Sequence, residues 1–168
     1  MDEIELTKKN MKWVIGAIIK KLMAKDLTQK DIVFCSSENC NPIGWILGHI
    51  GLQEDVFFNW FGRGKLKLSK EYRELFRFKS PKIKPEEIPL LEELMEYLMS
   101  VRRDTFEYFS SLEEKDFYKI LVDPKGNKFW GGNLLDMCNR QLIHESIHAG
   151  QIAYIRRILG KEAKPIPL

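Results

Sequence analysis

The sequence predicts an all-α fold, a four-helix bundle whose helices are joined by long connections. Long segments place apolar residues at intervals of three and four, which is the period of a helix that buries one face. Three long, unequal connections separate the segments, so a simple up-down series of hairpins is not expected. At 168 residues the chain is long enough for one buried core, and we expect a single domain over residues 1–168.

The first predicted helix covers residues 2–23 and is followed by a connection over residues 25–40, where the helical period is lost. Its buried stripe is predicted to contain Leu6, Met11, Val14, Ile15, Ile18, Ile19 and Leu22. Asn41 and Pro42 indicate the next helix start, because Asn caps N-termini and Pro lacks an amide hydrogen that would be unsatisfied at the first helical position. This second helix passes through Trp60 and ends at the glycine-containing segment 62–64.

The second half of the chain predicts one short helix, two long helices and a small hairpin. The short helix covers residues 69–78, and the third long helix runs from Glu86 or Pro89 to Phe109. Extended segments at 118–122 and 128–130 flank the turn sequence DPKGN, in which Pro fixes φ and Gly accepts the left-handed conformation. The fourth long helix covers residues 133–159 and ends at a glycine, Gly160.

Composition and charge exclude several classes of partner. The 27 basic and 24 acidic residues are well mixed and give a net charge of +3, so no basic block predicts a nucleic-acid partner. No run of about 20 apolar residues predicts a membrane span. The acidic start of the chain does not resemble a signal peptide, and we therefore expect a cytoplasmic protein.

The three histidines of the chain form the strongest chemical pattern. His144 and His148 are four residues apart on one predicted helix, so both imidazoles can reach one ion. His49 lies on an apolar stripe of the second helix, where a lone histidine is more often a core residue hydrogen-bonded to a carbonyl. Two helices that both turn imidazoles inward favour a metal site instead. Three nitrogen ligands with an open position are typical of catalytic zinc-type sites.

The segment HESIH also matches the H-E-x-x-H pattern of zinc metalloproteases, in which the glutamate is the general base. We disfavour this interpretation because no histidine follows His148. A third ligand would have to be Glu162, which lies beyond the helix-ending Gly160. The chain also offers little strand pattern for a substrate-binding sheet edge.

Two segments, NPIGWILGHI at residues 41–50 and HESIHAGQI at 144–152, resemble the DinB/YfiT-like family. The resemblance implies a four-helix bundle in which the second and fourth helices supply three histidines to a divalent metal, commonly nickel or zinc. It also implies an activity similar to thiol-dependent S-transferases or isomerases that act with low-molecular-weight thiols. The family usually has a basic residue where this chain has Ala149, which leaves the particular thiol and substrate open.

We therefore expect one divalent ion, nickel or zinc, on His49, His144 and His148. Iron and copper also suit three imidazoles. Four further residues are candidates for the surroundings of this site: Gln53, Arg140, Glu145 and Gln151.

The two glutamines lie one turn from a ligand and on faces that can reach the site. Glu145 points about 100° away from His144, and we weigh equally a place beside the ligands and a place on the helix surface. Arg140 lies one turn before His144 and can meet an anionic substrate, although a surface ion pair with a carboxylate is the favoured interpretation.

Two functions remain open from the sequence. The favoured one is a metal-dependent enzyme that acts on a small molecule, either a transferase that uses a low-molecular-weight thiol or a hydrolase. The other is a non-catalytic metal-binding bundle that serves as a sensor or an interaction module. Aromatic residues in the connections, such as Phe76 and Phe78, are also compatible with a homodimer.

Overall fold

The computed structural model describes residues 2–14, 24–38 and 40–162, and it confirms an all-α bundle with one small sheet. The α-helices are α1 Glu3–Trp13, α2 Gln29–Ile32, α3 Ile43–Glu54, α4 Lys70–Phe76, α5 Leu91–Ser110 and α6 Leu134–Ile158. Helix α3 continues without a break into a π-helical segment, Asp55–Phe61. Short 3-10 turns cover Pro85–Glu87 and Glu114–Tyr118. The four predicted long helices correspond to α1, α3 with its π-helical extension, α5 and α6.

Helix α3 occupies the centre of the bundle. Every one of its residues except Gln53 is buried, and it packs against α4, α5 and α6. A helix that is apolar on all sides is stable only when it is surrounded by other elements. One hydrophobic cluster surrounds α3, α5 and the end of α6, and a second joins α1, the π-helical segment and the beginning of α6.

The hairpin positions the start of α6. Strands β1 Ile120–Val122 and β2 Lys128–Asn133 pair antiparallel, as predicted, around a turn with Gly126 at φ 86°. The last residue of β2, Asn133, caps α6: its side chain accepts from the Asp136 amide, and the Asp136 carboxylate accepts from the Asn133 amide. The sheet therefore leads directly into the helix that carries two of the histidines.

Several sequence predictions need correction. Helix α3 begins at Ile43 with Pro42 in the cap position, one residue later than predicted, and no side chain caps it. Leu6 is 45% exposed and does not belong to the buried stripe of α1, whereas Met11 does. The predicted continuation of that stripe, with Ile15, Ile18, Ile19 and Leu22, lies outside the described residues.

Phe76 and Phe78 differ in their exposure. Phe76 is fully buried, so the prediction that it is available on the surface is wrong. Phe78 is 74% exposed. None of the helices in the described ranges is long and apolar enough to cross a membrane.

Candidate metal centre

Three imidazoles converge between α3 and α6. The Nε2 atoms of His49 and His148 each lie 3.1 Å from the Nε2 atom of His144. The candidate ligand atoms of all three lie within 4.8 Å of one another. Nitrogens bound at about 2.0–2.1 Å to one tetrahedral ion lie about 3.3 Å apart. The structure therefore brings together the three predicted ligands at a spacing that fits one metal ion.

Hydrogen bonds on the far side of two rings orient their lone pairs. Nδ1 of His49 lies 2.7 Å from the carbonyl oxygen of Phe76, and Nδ1 of His148 lies 2.7 Å from Oε1 of Gln151. Both oxygens only accept, so each Nδ1 carries the proton and each Nε2 has a free lone pair. Nε2 of His144 carries at most one proton, and that proton can form a well-directed hydrogen bond with only one of these two lone pairs. A cation between the rings can instead bind the lone pairs of all three Nε2 atoms.

The electrostatics of the site favour neutral imidazoles. Burial lowers the pKa of His49 and of His148. Burial, and then the charges of the two neighbouring histidines, lower the pKa of His144 to about 3. A metal binds the neutral form of imidazole, so no proton has to be displaced from these rings at neutral pH.

Trp45 and helix α4 hold the His49 ring in place. The indole stacks on the imidazole with ring centroids 4.6 Å apart and planes 10° from parallel. Its Nε1 donates to the carbonyl oxygen of Leu75 at 3.0 Å and to Oγ of Ser80 at 3.1 Å. The carbonyl of Phe76 could not be predicted as a partner of His49, because a backbone oxygen leaves no signature in residue type.

Two cavities of different character meet at the histidines. The first, here called the polar cavity, has a volume of about 590 Å³ and is lined by all three histidines and by polar residues that include Asn41, Lys79, Ser80, Lys82 and Gln151. The second, here called the aromatic cavity, has a volume of about 620 Å³ and is lined by Phe57, Phe61, Phe129 and Trp130 among others. His49 and His144 line both.

The sequence model of the DinB superfamily matches residues 21–152, which is well over half of the chain. The chain belongs to the DinB superfamily. This confirms the resemblance of segments 41–50 and 144–152 to DinB-like proteins.

Solved structures with the same fold are distant in sequence. A DinB-like protein from Bacillus cereus has a TM-score of 0.71 and 16% identity, covering 98% of this chain and 97% of the other. A conserved protein from Enterococcus faecalis has a TM-score of 0.63 and 14% identity, covering 96% and 99%. At these identities the likeness shows a DinB-like fold alone. A comparison with curated proteins found no match.

Three of the four predicted neighbours line the site of this DinB-superfamily protein: Gln53, Gln151 and, as described below, Arg140. Gln151 lines the polar cavity and accepts the proton of His148 Nδ1. Gln53 lines the aromatic cavity, but its side chain bonds to none of the three imidazoles among the described contacts. Ala149, which follows His148, is fully buried and packs in the core.

For Glu145 the sequence left two places equally open, beside the ligands or on the helix surface, and the structure excludes the surface. Its side chain is fully buried rather than on the helix surface, and it forms an ion pair with Nη2 of Arg102 at 2.5 Å. It lines neither cavity. The carboxylate is therefore bound to α5 and is not placed as the general base of an H-E-x-x-H protease.

Nε of Arg102 also lies 3.4 Å from Oε2 of Glu54, so one buried guanidinium forms ion pairs with two buried carboxylates. Burial raises the pKa of Glu54 to about 7 against the opposing effect of Arg102, and burial also raises the pKa of Glu145. Two carboxylates and one arginine leave one excess negative charge unless a proton is bound. Arg102 was not predicted because it lies on a mainly apolar buried face of α5.

Arg140 does not form the surface ion pair that the sequence favoured. Its Nε donates to the carbonyl oxygen of Gly131 at 3.3 Å, and its guanidinium lies 4.8 Å from the centre of the Trp130 ring. No carboxylate of the described residues pairs with it, and it lines the aromatic cavity. The arginine is therefore placed at the site and is available to a ligand.

Proposed function

We propose that this DinB-superfamily protein is a metal-dependent enzyme that acts on small molecules, with thiol-dependent S-transfer favoured over hydrolysis. The observation that carries the proposal is the pair of unlike cavities that share His49 and His144. A transferase must hold two substrates with their reacting atoms together. A hydrolase needs only one organic substrate, so a second cavity of similar size favours transfer.

The donor set fits a divalent ion. Three neutral imidazole nitrogens suit nickel or zinc, and they leave coordination positions open. When bound, such an ion lowers the pKa of a thiol or of water and so supplies a nucleophile at neutral pH. His49 and His148 are held in the ligand tautomer by Phe76 and Gln151, so the chain does not need to reorganise to bind the ion.

The residues of the polar cavity fit a low-molecular-weight thiol that carries carboxylates. Lys79 and Lys82 outnumber the one acidic residue of the lining, Glu38, and so leave a net positive charge there. Asn41 and Gln151 supply amide groups for hydrogen bonding. These residues would orient the thiol toward the histidines. The aromatic cavity would hold the second substrate and keep water away from its reacting atom.

The test combines metal analysis with turnover. We expect protein purified without chelator to contain about one nickel or zinc ion per chain, because the three imidazoles form one site. We expect a panel that pairs low-molecular-weight thiols with electrophiles to show turnover that chelation abolishes and added metal restores. His49→Ala should lose both metal and turnover.

Ser146→Ala is the matched control, because Ser146 lies between two ligands in sequence but is exposed and bonds only to the Leu142 carbonyl of its own helix. It should behave as the unmodified protein does. Full metal occupancy in the His49→Ala variant would show that the triad is wrong. Stoichiometric metal without turnover, with thiol or with water, would favour the non-catalytic sensor or interaction module.

A further inference from the structure

The aromatic cavity has walls that are organised before any ligand binds. Phe129 of β2 makes edge contacts with Phe57 and Phe61 of the π-helical segment, with ring centroids 5.4 and 5.5 Å apart. Phe57 and Phe129 are almost fully buried by these contacts. Offset and edge-on aromatic pairs hold each other in fixed orientations. A volume of about 620 Å³ is in the usual range for a small-molecule site.

Trp130 forms an exposed edge of the same cavity. Its side chain is 77% exposed, although it is the largest apolar side chain and follows the buried Phe129. The guanidinium of Arg140 lies 4.8 Å from the centre of its ring, and the tilted ring of Phe129 lies 5.6 Å away. A tryptophan in this position offers a flat apolar surface to a molecule that enters the cavity.

Among the described residues that line the aromatic cavity, Arg140 is the one with a permanently charged side chain. The lining contains no carboxylate, and the described residues supply no hydrogen-bond partner for either Nη atom of Arg140. Arg63, Arg77 and Arg102, by contrast, each pair with a glutamate. No described residue therefore neutralises the positive charge of Arg140.

The lack of a side chain at Gly131 leaves room for the Arg140 guanidinium. A Cβ atom at this position would lie 2.5 Å from Nε of Arg140 and 2.7 Å from the Phe129 ring. Without it, the guanidinium lies against the strand and is held by the Gly131 carbonyl and the Trp130 ring. One planar guanidinium matches the charge and the two oxygens of one carboxylate, whereas a phosphate ester carries a charge of about −1.5 to −2.

From these observations we propose that the aromatic cavity binds a hydrophobic, preferably aromatic, monocarboxylate, with its apolar body against Phe57, Phe129 and Trp130 and its carboxylate on Arg140. This inference rests on the proposed function, because it identifies the class of the second substrate at the same site. Arg140 would select ligands with a negative charge, and the aromatic rings would select ligands with an apolar body. Binding of such a molecule would bring it next to His49 and His144, which line the same cavity.

The test is a binding measurement that needs no turnover. The probes are 3-phenylpropanoate and its uncharged amide, titrated by calorimetry into zinc-loaded protein and into metal-free protein. We expect the carboxylate to bind about tenfold more tightly than the amide in both forms, as a charge-assisted hydrogen bond predicts. Arg140→Gln should remove this preference and leave amide binding unchanged, and Gly131→Ala should weaken it by displacing the guanidinium.

Arg103→Gln is the matched control, because Arg103 is an exposed arginine of α5 that lines neither cavity. It should keep the full preference for the carboxylate. Circular dichroism of each variant checks that the fold is retained.

Two binding results would overturn the inference, and one turnover result would as well. Equal affinity for the carboxylate and the amide in the unmodified protein is the first. A preference that survives Arg140→Gln and disappears on metal removal is the second, since the ion would then hold the carboxylate. Turnover with uncharged electrophiles alone would also count against the inference and would leave the proposed function intact. The expected binding pattern without turnover would support the inference while the proposed function failed.

Discussion

The Nδ1 atom of His49 and the carbonyl oxygen of Phe76 are 2.7 Å apart, and this hydrogen bond joins a metal ligand on α3 to the end of α4. The contact depends on Gly48, because a Cβ atom there would overlap the Phe76 ring. The ligand and the small residue that lets its partner approach are therefore neighbours in the sequence. Packing of α4 on α3 sets the orientation of the imidazole.

Gly48→Ala should lower metal affinity by about tenfold or more, as is usual when a partner of a ligating histidine is disturbed. The added methyl group pushes the Phe76 ring and its carbonyl away from His49. Competition with a chromophoric chelator measures the change. Gly150→Ala is the control, because no atom lies within 4 Å of a Cβ at that exposed helical position. Unchanged affinity in Gly48→Ala would mean that the carbonyl does not orient the ring.

Replacement of Gln151 should also lower the metal affinity, because Gln151 orients His148. Gln151→Ala removes the acceptor of the Nδ1 proton, and we expect metal affinity to fall by about tenfold. Gln151→Glu keeps an acceptor and should retain or raise the affinity. The same chelator competition measures both variants. Gln53→Ala, which removes a cavity glutamine that bonds to no ligand imidazole, should leave the affinity unchanged; an equal loss in that variant would argue against a specific role for Gln151.

The buried pair of carboxylates on Arg102 predicts a pH dependence of stability. Burial raises the pKa of Glu54 from 4.5 to about 7. Below about pH 4.5 both the folded and the unfolded chain carry this proton, whereas between the two pKa values only the folded chain does. The stability contributed by Glu54 is therefore present at low pH and is lost as the pH rises through about 7.

In metal-free protein, we expect Glu54→Gln to remove the decrease in stability that accompanies the rise in pH. Relative to the unmodified protein, the variant should gain free energy of unfolding on the order of 2 kcal/mol between pH 5 and pH 8. Urea unfolding at both pH values measures it. The histidines have lowered pKa values and contribute with the opposite sign, but they are present in both proteins and cancel. Glu74→Gln is the control, because Glu74 forms an exposed pair with Arg77, and it should show no such change. If the stability of Glu54→Gln varied with pH in the same way as that of the unmodified protein, Glu54 would not be the group that titrates.

Metal removal should lower the melting temperature without unfolding the protein. The two hydrophobic clusters bury residues of every long helix and do not include the ligands. A ligand at a hundred times its dissociation constant stabilises by about 2.7 kcal/mol, which corresponds to a shift of a few degrees in a domain of this size. Thermal melts by circular dichroism with and without chelator test this. Loss of helical signal at room temperature would indicate a structural metal instead.

Local sequence determined a large part of the site. The period of α6, its capping asparagine and its terminal glycine depend on neighbouring residues, so the helix and its histidine pair one turn apart could be predicted. The hairpin turn was predictable for the same reason, since Pro and Gly restrict and permit particular backbone angles. The segments 41–50 and 144–152 indicated the family and included His49 in the site.

Tertiary packing decided what these residues face. Helix α3 is buried on all sides, so periodicity could not orient it, and only its packing on α6 brings His49 within 3.1 Å of His144. The same holds for Glu145, which pairs with an arginine 43 positions away, and for the Phe76 carbonyl, which is 27 positions from its histidine. Long-range pairs are set by the three-dimensional approach of helices, and no local pattern encodes them. The sequence by itself determined which side chains can bind a metal, and the tertiary structure decided which groups orient them and which two cavities they face.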